Sequence, residues 1–148
     1  MSTVIRDRSR HRRRRVLLRQ VLELDLQGNN FSRVGSRAFE GVKTLLSLNL
    51  AWCNVRRIST KAFRTLRLLR NLSLAENRLR RLNSFIFRDL RSLETLTLAG
   101  NTLSRVEPDL FRYQSNLQVY VLIYLFINPF NASCSILLLF GRFCAILV

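Results

Sequence analysis

Four stretches of this chain superimpose at a spacing of 24 residues, and that period restricts the fold more than any other feature of the sequence. Asn29, Cys53, Asn77 and Asn101 anchor the four copies. Eight residues earlier stand Val21, Leu45, Leu69 and Leu93; five earlier, Leu24, Leu48, Leu72 and Leu96; three earlier, Leu26, Leu50, Leu74 and Leu98. Two residues later stand Phe31, Val55, Leu79 and Leu103; five later, Val34, Ile58, Leu82 and Val106; ten later, Phe39, Phe63, Phe87 and Phe111. Every column except the anchor is apolar in all four copies. A fixed period in this range marks a stack of small units, none of which can bury its apolar face alone.

Each column has a physical reason. Leu24 and Leu26 are two residues apart, so both point to one side of a short strand, while Glu23, Asp25 and Gln27 point to the other. Stacking the copies lines such strands into a parallel sheet with its leucines on a shared core. The anchor column follows the strand, where the chain turns. A buried Asn side chain there bonds backbone groups of its own and neighbouring coils that the turn would otherwise orphan. Cys53 stands in this column as a small, weakly polar core residue and is read as structural rather than reactive. The Phe column is expected to stack continuously under the convex side. Strands pack about 4.8 Å apart, and the second half of each copy is bulkier, so the stack should bend with its sheet inside.

These columns spell L-x-x-L-x-L-x-x-N/C-x-L. Over roughly residues 18 to 130 the chain resembles the leucine-rich-repeat family, in its 24-residue form with a Phe in the second half. The resemblance implies an α/β solenoid, a horseshoe with short parallel strands on the concave face and mostly irregular or short-helical convex segments. That form is typical of extracellular receptors and matrix proteins, including Toll-like and Slit-like ectodomains. It therefore implies a fragment of an extracellular or cell-surface protein, whereas the leaderless start, read without the resemblance, leaves a cytosolic or nuclear protein open. The expected organisation is a disordered basic arm over 1–17, four repeats over 18–116, and a degenerate last repeat with an apolar, cap-like tail over 117–148.

Both ends depart from the pattern. Upstream only Leu18 fits its column, no cysteine-rich N-terminal cap is present, and no apolar leader segment occurs between Met1 and Arg15, so the first strand is expected to leave an exposed edge. Downstream, Asn128-Pro129-Phe130-Asn131-Ala132-Ser133-Cys134 resembles the start of a C-terminal cap, with Ala132 where the first cap cysteine belongs. Three cysteines give no disulfide framework; at most Cys134 pairs with Cys144. The uncharged run from Tyr113 to Gly141 also invites a membrane reading. Asn128, Pro129 and Asn131 interrupt it, and neither half reaches the about 20 apolar residues of a spanning helix. A cap, a membrane segment and a spurious sequence end all stay open, the cap being preferred.

Charge supplies a second kind of constraint. The net charge is +16, and eight arginines fall between Arg6 and Arg19. Such a balance attracts polyanions. The arginines also recur with the period: Arg33, Arg57, Arg81 and Arg105 form one column, Arg64, Arg88 and Arg112 a second, and Lys43, Arg67 and Arg91 a third. A periodic ladder of guanidinium groups suits the repeating charges of a sulfated glycan or a phosphate backbone; a solvated, arginine-biased surface is the plainer reading.

No catalytic system can be assembled. The single histidine, His11, has no partner in view, and neither a phosphate-binding glycine loop nor a metal-ligand spacing occurs. Glu23 and Asp25 lie together on an open sheet without a pocket. No cofactor, metal or small-molecule substrate is expected. The expected ligand surface is the outer side of the strands: Glu23, Asp25, Gln27, Ser47, Asn49, Asn71, Ser73, Thr95 and Thr97, small and mostly neutral. Trp52, just beyond the second strand, is read either as an exposed anchor or as a lid packed over its turn. Sequons place candidate glycans on Asn30, Asn71 and Asn131. The leading expectation is protein–protein recognition on the concave face. The alternative is polyanion binding through the arginine ladders and arm, and a membrane-anchored structural protein is third.

Overall fold

The computed structural model describes residues 4–6, 21–104 and 107–117. The remainder of the arm, Arg105, and the tail with Asn131, Cys134 and Cys144 lie outside the described residues. The strands in chain order are β1 (Val4–Arg6), β2 (Glu23–Asp25), β3 (Arg33–Val34), β4 (Ser47–Asn49), β5 (Arg57–Ile58), β6 (Asn71–Ser73) and β7 (Thr95–Thr97). They form a five-stranded sheet in the order β1-β2-β4-β6-β7 and a two-stranded sheet of β3 and β5. The parallel registers follow the 24-residue period: Leu24 pairs with Leu48, Leu48 with Leu72, and Leu72 with Leu96. The arm departs from the expectation of disorder at one place. Val4–Arg6 pairs antiparallel with β2, Ile5 opposite Leu24, and so covers the strand edge that would otherwise present unpaired backbone groups.

The core is the predicted set of columns. Leu45, Leu69 and Leu93 are fully buried, as are Leu72, Leu74, Leu96 and Leu98. Leu24, Leu26 and Phe31 of the first copy are only partly buried. The four Phe rings stack face to face, with centroids 5.9, 6.3 and 6.1 Å apart from Phe39 to Phe111. Hydrogen-bonded strands advance about 4.8 Å per copy. The Phe side advances by more than an ångström extra at each step, so the solenoid curves with the five-stranded sheet on its inner face. Between sheet and Phe column the chain runs in successive turns, closed by bonds such as Ala62 N to Ser59 O at 3.0 Å and Leu66 N to Phe63 O at 3.0 Å. The short-helical content expected here is a single 3-10 helix, Pro108–Phe111, among the described residues. Gln114 replaces the leucine of its column (Leu66, Leu90). It is buried, donates to Phe87 O at 2.6 Å, and leaves its Oε1 without a hydrogen-bond partner among the described residues.

The Asn column ties neighbouring coils together. Asn77 Oδ1 accepts from the amides of Cys53 at 3.1 Å and Val55 at 2.9 Å, while its Nδ2 donates to Leu50 O, Leu74 O and Ala75 O. Asn101 repeats the pattern one coil further on, toward Leu79 N, Leu74 O and Leu98 O. Asn29 is only half-buried, and among the described residues its side chain bonds Leu26 O. Cys53 shows what the column loses without an amide. Its Sγ donates to Leu26 O at 3.0 Å, but a thiol has no carbonyl, and the Phe31 amide turns instead to the Cys53 backbone oxygen at 2.8 Å.

Cys53 is fully buried, and desolvation raises its pKa against the lowering effect of the Asn29 and Gly28 backbone bonds. Folding therefore favours the neutral thiol. That contribution is intact below the ordinary thiol pKa of about 8.5 and is lost as pH climbs from there through the raised folded value. Urea midpoints should fall between pH 7 and pH 10, and Cys53→Ala should flatten the fall. Parallel pH profiles for the two proteins would refute the assignment.

Candidate functional site

The predicted ligand residues form in-register rows on the inner face. Glu23, Ser47, Asn71 and Thr95 make one row, and Asp25, Asn49, Ser73 and Thr97 the next. Parallel strands in register present side chains of equivalent positions side by side, so the rows follow directly from the 24-residue period. Glu23, Gln27 and Asn71 are exposed, and the others are half-buried. Short hydrogen bonds order the first two copies: Gln27 N to Asp25 Oδ1, Ala51 N to Asn49 Oδ1 and Asn49 Nδ2 to Gln27 Oε1, each at 3.0 Å. Beyond Gln27 the third row is Ala51, Ala75 and Ala99, so the face becomes shallow toward the turns. Within these rows acidic groups sit only at the β2 end, and the remaining side chains are small and neutral.

A fourth row runs along the rim of this face, directly before the Asn column. Gly28, Trp52, Glu76 and Gly100 all have positive φ, at 75°, 58°, 53° and 66°. The turn imposes the left-handed conformation, and three of its amides extend the ladder to the next coil, Trp52 N to Ala75 O at 3.1 Å among them. Glycine meets the requirement without strain. For other residues the left-handed conformation costs about 1–2 kcal/mol. Trp52 bears this strain while 59% exposed, so the indole does not close over its turn. Glu76 occupies the space that a Cβ on Gly100 would fill.

The arginine ladder lies past the turn, four residues after the Asn column. Arg33 and Arg57 are register partners in the two-stranded sheet. Arg57, Arg33 and Arg81 line one groove of about 690 Å³ with Ser59, Asn83 and Ser84. All three arginines are exposed. The ion pairs of the described residues, Arg70–Glu94 and Arg112–Asp109, do not include them. Arg105, the fourth member of the column, lies outside the described residues. Arg64, Arg88, Lys43, Arg67 and Arg91 are exposed away from this groove.

Of the sequons, Asn30 is exposed at a turn and Asn71 is exposed within β6 on the inner face. No cluster of three metal-ligating side chains occurs among the described residues. No helix among them is long and apolar enough to cross a membrane. The sequence reading missed the groove, since the period aligns the arginines but does not place Ser59, Asn83 and Ser84 beside them. It also missed the strain at Trp52, although glycine at two of the four rim positions was a signal for positive φ.

Curvature, in-register rows and an Asn-pinned turn define a solenoid built of leucine-rich coils with an open inner sheet. The Leucine rich repeat family matches residues 19–79 and 67–122, and the chain belongs to that family. Among solved structures it is similar to the TLR13–ssRNA13 complex, at 31% identity over 68% of this chain, with a TM-score of 0.65. It is also similar to the Toll–Spatzle complex of Drosophila, at 17% identity over 73% of this chain, with a TM-score of 0.67; at that identity the likeness concerns the fold. The chain spans 14% of the length of each. No curated protein matches.

Proposed function

We propose that the chain is a recognition module, part of an extracellular or cell-surface protein, that binds a protein ligand on its inner sheet with Trp52 as the anchor. The observation that carries this reading is Trp52 itself: an exposed indole held at a backbone position where the first and last rim residues are glycine. Strained backbone persists where something other than stability maintains it, and tryptophan is the residue most enriched among binding hot spots. Apart from Glu76 beside it on the rim and Glu23 and Asp25 at the β2 end, the face is neutral and small-featured, suited to close apposition. The solved relatives support a recognition role by analogy, one complexed with ssRNA and the other with Spatzle. Catalysis has no support in the residues of this face.

The test is Trp52→Gly. Relief of the left-handed strain, about 1–2 kcal/mol, exceeds the about 0.5–1 kcal/mol entropic cost of glycine, so the melting temperature should rise slightly. A protein partner, selected from a panel of secreted proteins, should bind about 30-fold more weakly, the equivalent of about 2 kcal/mol for a hot-spot residue. Bulky residues at Ser73 and Thr97 should abolish the same interaction, and raised salt should change it far less than binding at the arginine ladder, since beyond Glu23, Asp25 and Glu76 the face is uncharged. A partner that survives all three variants would sink this reading.

A further inference from the structure

We propose that the groove lined by Arg33, Arg57 and Arg81 is a second binding site, separate from the inner sheet, and that its ligand is a linear sulfated polysaccharide. The three guanidinium groups stand on consecutive coils, and Arg33 and Arg57 are direct partners in a parallel ladder. Like charges placed opposite one another on neighbouring strands repel, in a chain that already carries +16. Neither ion pair of the described residues relieves them. A repeating external anion does, and each guanidinium fork can hold a sulfate with two parallel hydrogen bonds.

The groove's other lining selects among polyanions. Serine hydroxyls stand beside the arginines at Ser59 and Ser84, and Asn83 accepts from the Phe85 amide through Oδ1 at 2.9 Å, which turns its NH2 into the available donor end. Ser59 is held in place by its Oγ contact with Ser36 at 2.8 Å. Hydroxyls and an amide between cations suit a chain that alternates sulfates with hydroxyl and ring oxygens. Among the described residues no aromatic side chain lines the groove. Proteins that bind single-stranded nucleic acid rely on aromatic platforms for base stacking, and the groove provides none. Glu107, itself engaged in an interaction, stands in the lining beside Ser104 of the last described copy. Its carboxylate disfavours anions there, so the polysaccharide should run from Arg81 toward Arg33 rather than past Glu107.

The experiment compares two charge-matched variants of the full chain on immobilised heparin. One carries Arg33→Gln, Arg57→Gln and Arg81→Gln. The other carries Arg64→Gln, Arg67→Gln and Arg88→Gln, exposed positions outside the groove. Thermal melting establishes that both fold. At 150 mM salt the groove variant should bind heparin at least 10-fold more weakly, and its log-affinity against log-salt slope should drop by about 2, from three anion contacts at about 0.7 each. The control variant should lose less than 3-fold. Fully desulfated heparin should bind both no better than background. Equal losses in the two variants would mean that bulk charge alone binds heparin and would overturn the site. Polyuridine bound more tightly than heparin, and lost with the groove variant, would overturn the ligand class in favour of single-stranded nucleic acid. The inner-sheet partner should be retained by the groove variant, and its loss there would overturn the separation of the two sites.

Discussion

Replacing Phe87 with alanine should cost about 4–5 kcal/mol and should split the unfolding of the solenoid into two steps. Phe87 is fully buried and stacks on both Phe63, at 6.3 Å, and Phe111, at 6.1 Å. Removing a buried phenylalanine typically costs about 3–5 kcal/mol, and this ring loses two aromatic neighbours. Domains of this size are stable by only about 5–15 kcal/mol, so one substitution consumes much of the total. Each coil touches only its neighbours, so a weakened interface uncouples what lies on either side. Phe39, at the end of the stack with a single ring partner, supplies the comparison: Phe39→Ala should cost clearly less and leave one transition. Denaturant unfolding monitored by circular dichroism and by Trp52 fluorescence separates the cases. Equal losses for the two substitutions, with a single coincident transition in each, would contradict the stack as the spine of the fold.

Asn77→Ala should destabilise by about 3 kcal/mol or more. Five bonds to backbone groups disappear, and the amides of Cys53 and Val55 are left buried beside a methyl group. Each orphaned buried group costs about 1–3 kcal/mol, softened by relaxation and water entry. Asn49→Ala is the matched control. Asn49 bonds Ala51 N and Gln27 at the surface, where water replaces the lost partner, so its loss should stay below about 1 kcal/mol. Similar midpoint shifts for the two would mean that the coil register is wrong. Cys53 gives an internal precedent: the Phe31 amide finds the Cys53 carbonyl instead of an asparagine side chain, so the column tolerates one substitution where the backbone can compensate.

The coil register, the Phe stack and the pinning role of Asn77 and Asn101 were legible in the sequence because each depends on translation by one period. Side chains that repeat with the period meet their own copies, and no long-range pairing has to be guessed. What escaped the sequence depends on other terms. Asn29 carries the column's residue type but is less buried than Asn77 and Asn101, a difference that residue type alone does not disclose. The Val4–Arg6 strand escaped because composition marked the arm as solvated, whereas an open sheet edge recruits backbone rather than side chains. Trp52 was visible as an aromatic beside a strand. Its exposure and its φ were set by a turn whose requirement only Gly28 and Gly100 disclosed. The arginine column was legible as a ladder, but not as a groove, because the serine turns beside it have no periodic signature of depth.

The rim row has an evolutionary consequence. Glycine, tryptophan, glutamate and glycine share one backbone conformation because the ladder bonds and the Asn column fix the turn from below. The side chain at such a position can therefore change its chemistry without disturbing a single core contact, and the penalty for leaving glycine is small enough for a stable array to absorb. The surface chemistry of the rim can drift while the stack of coils stays constant. The drift is not fully independent from coil to coil. A side chain that replaces Gly100 needs the carboxylate end of Glu76 to swing aside, so the residues at the two positions should be correlated among related chains.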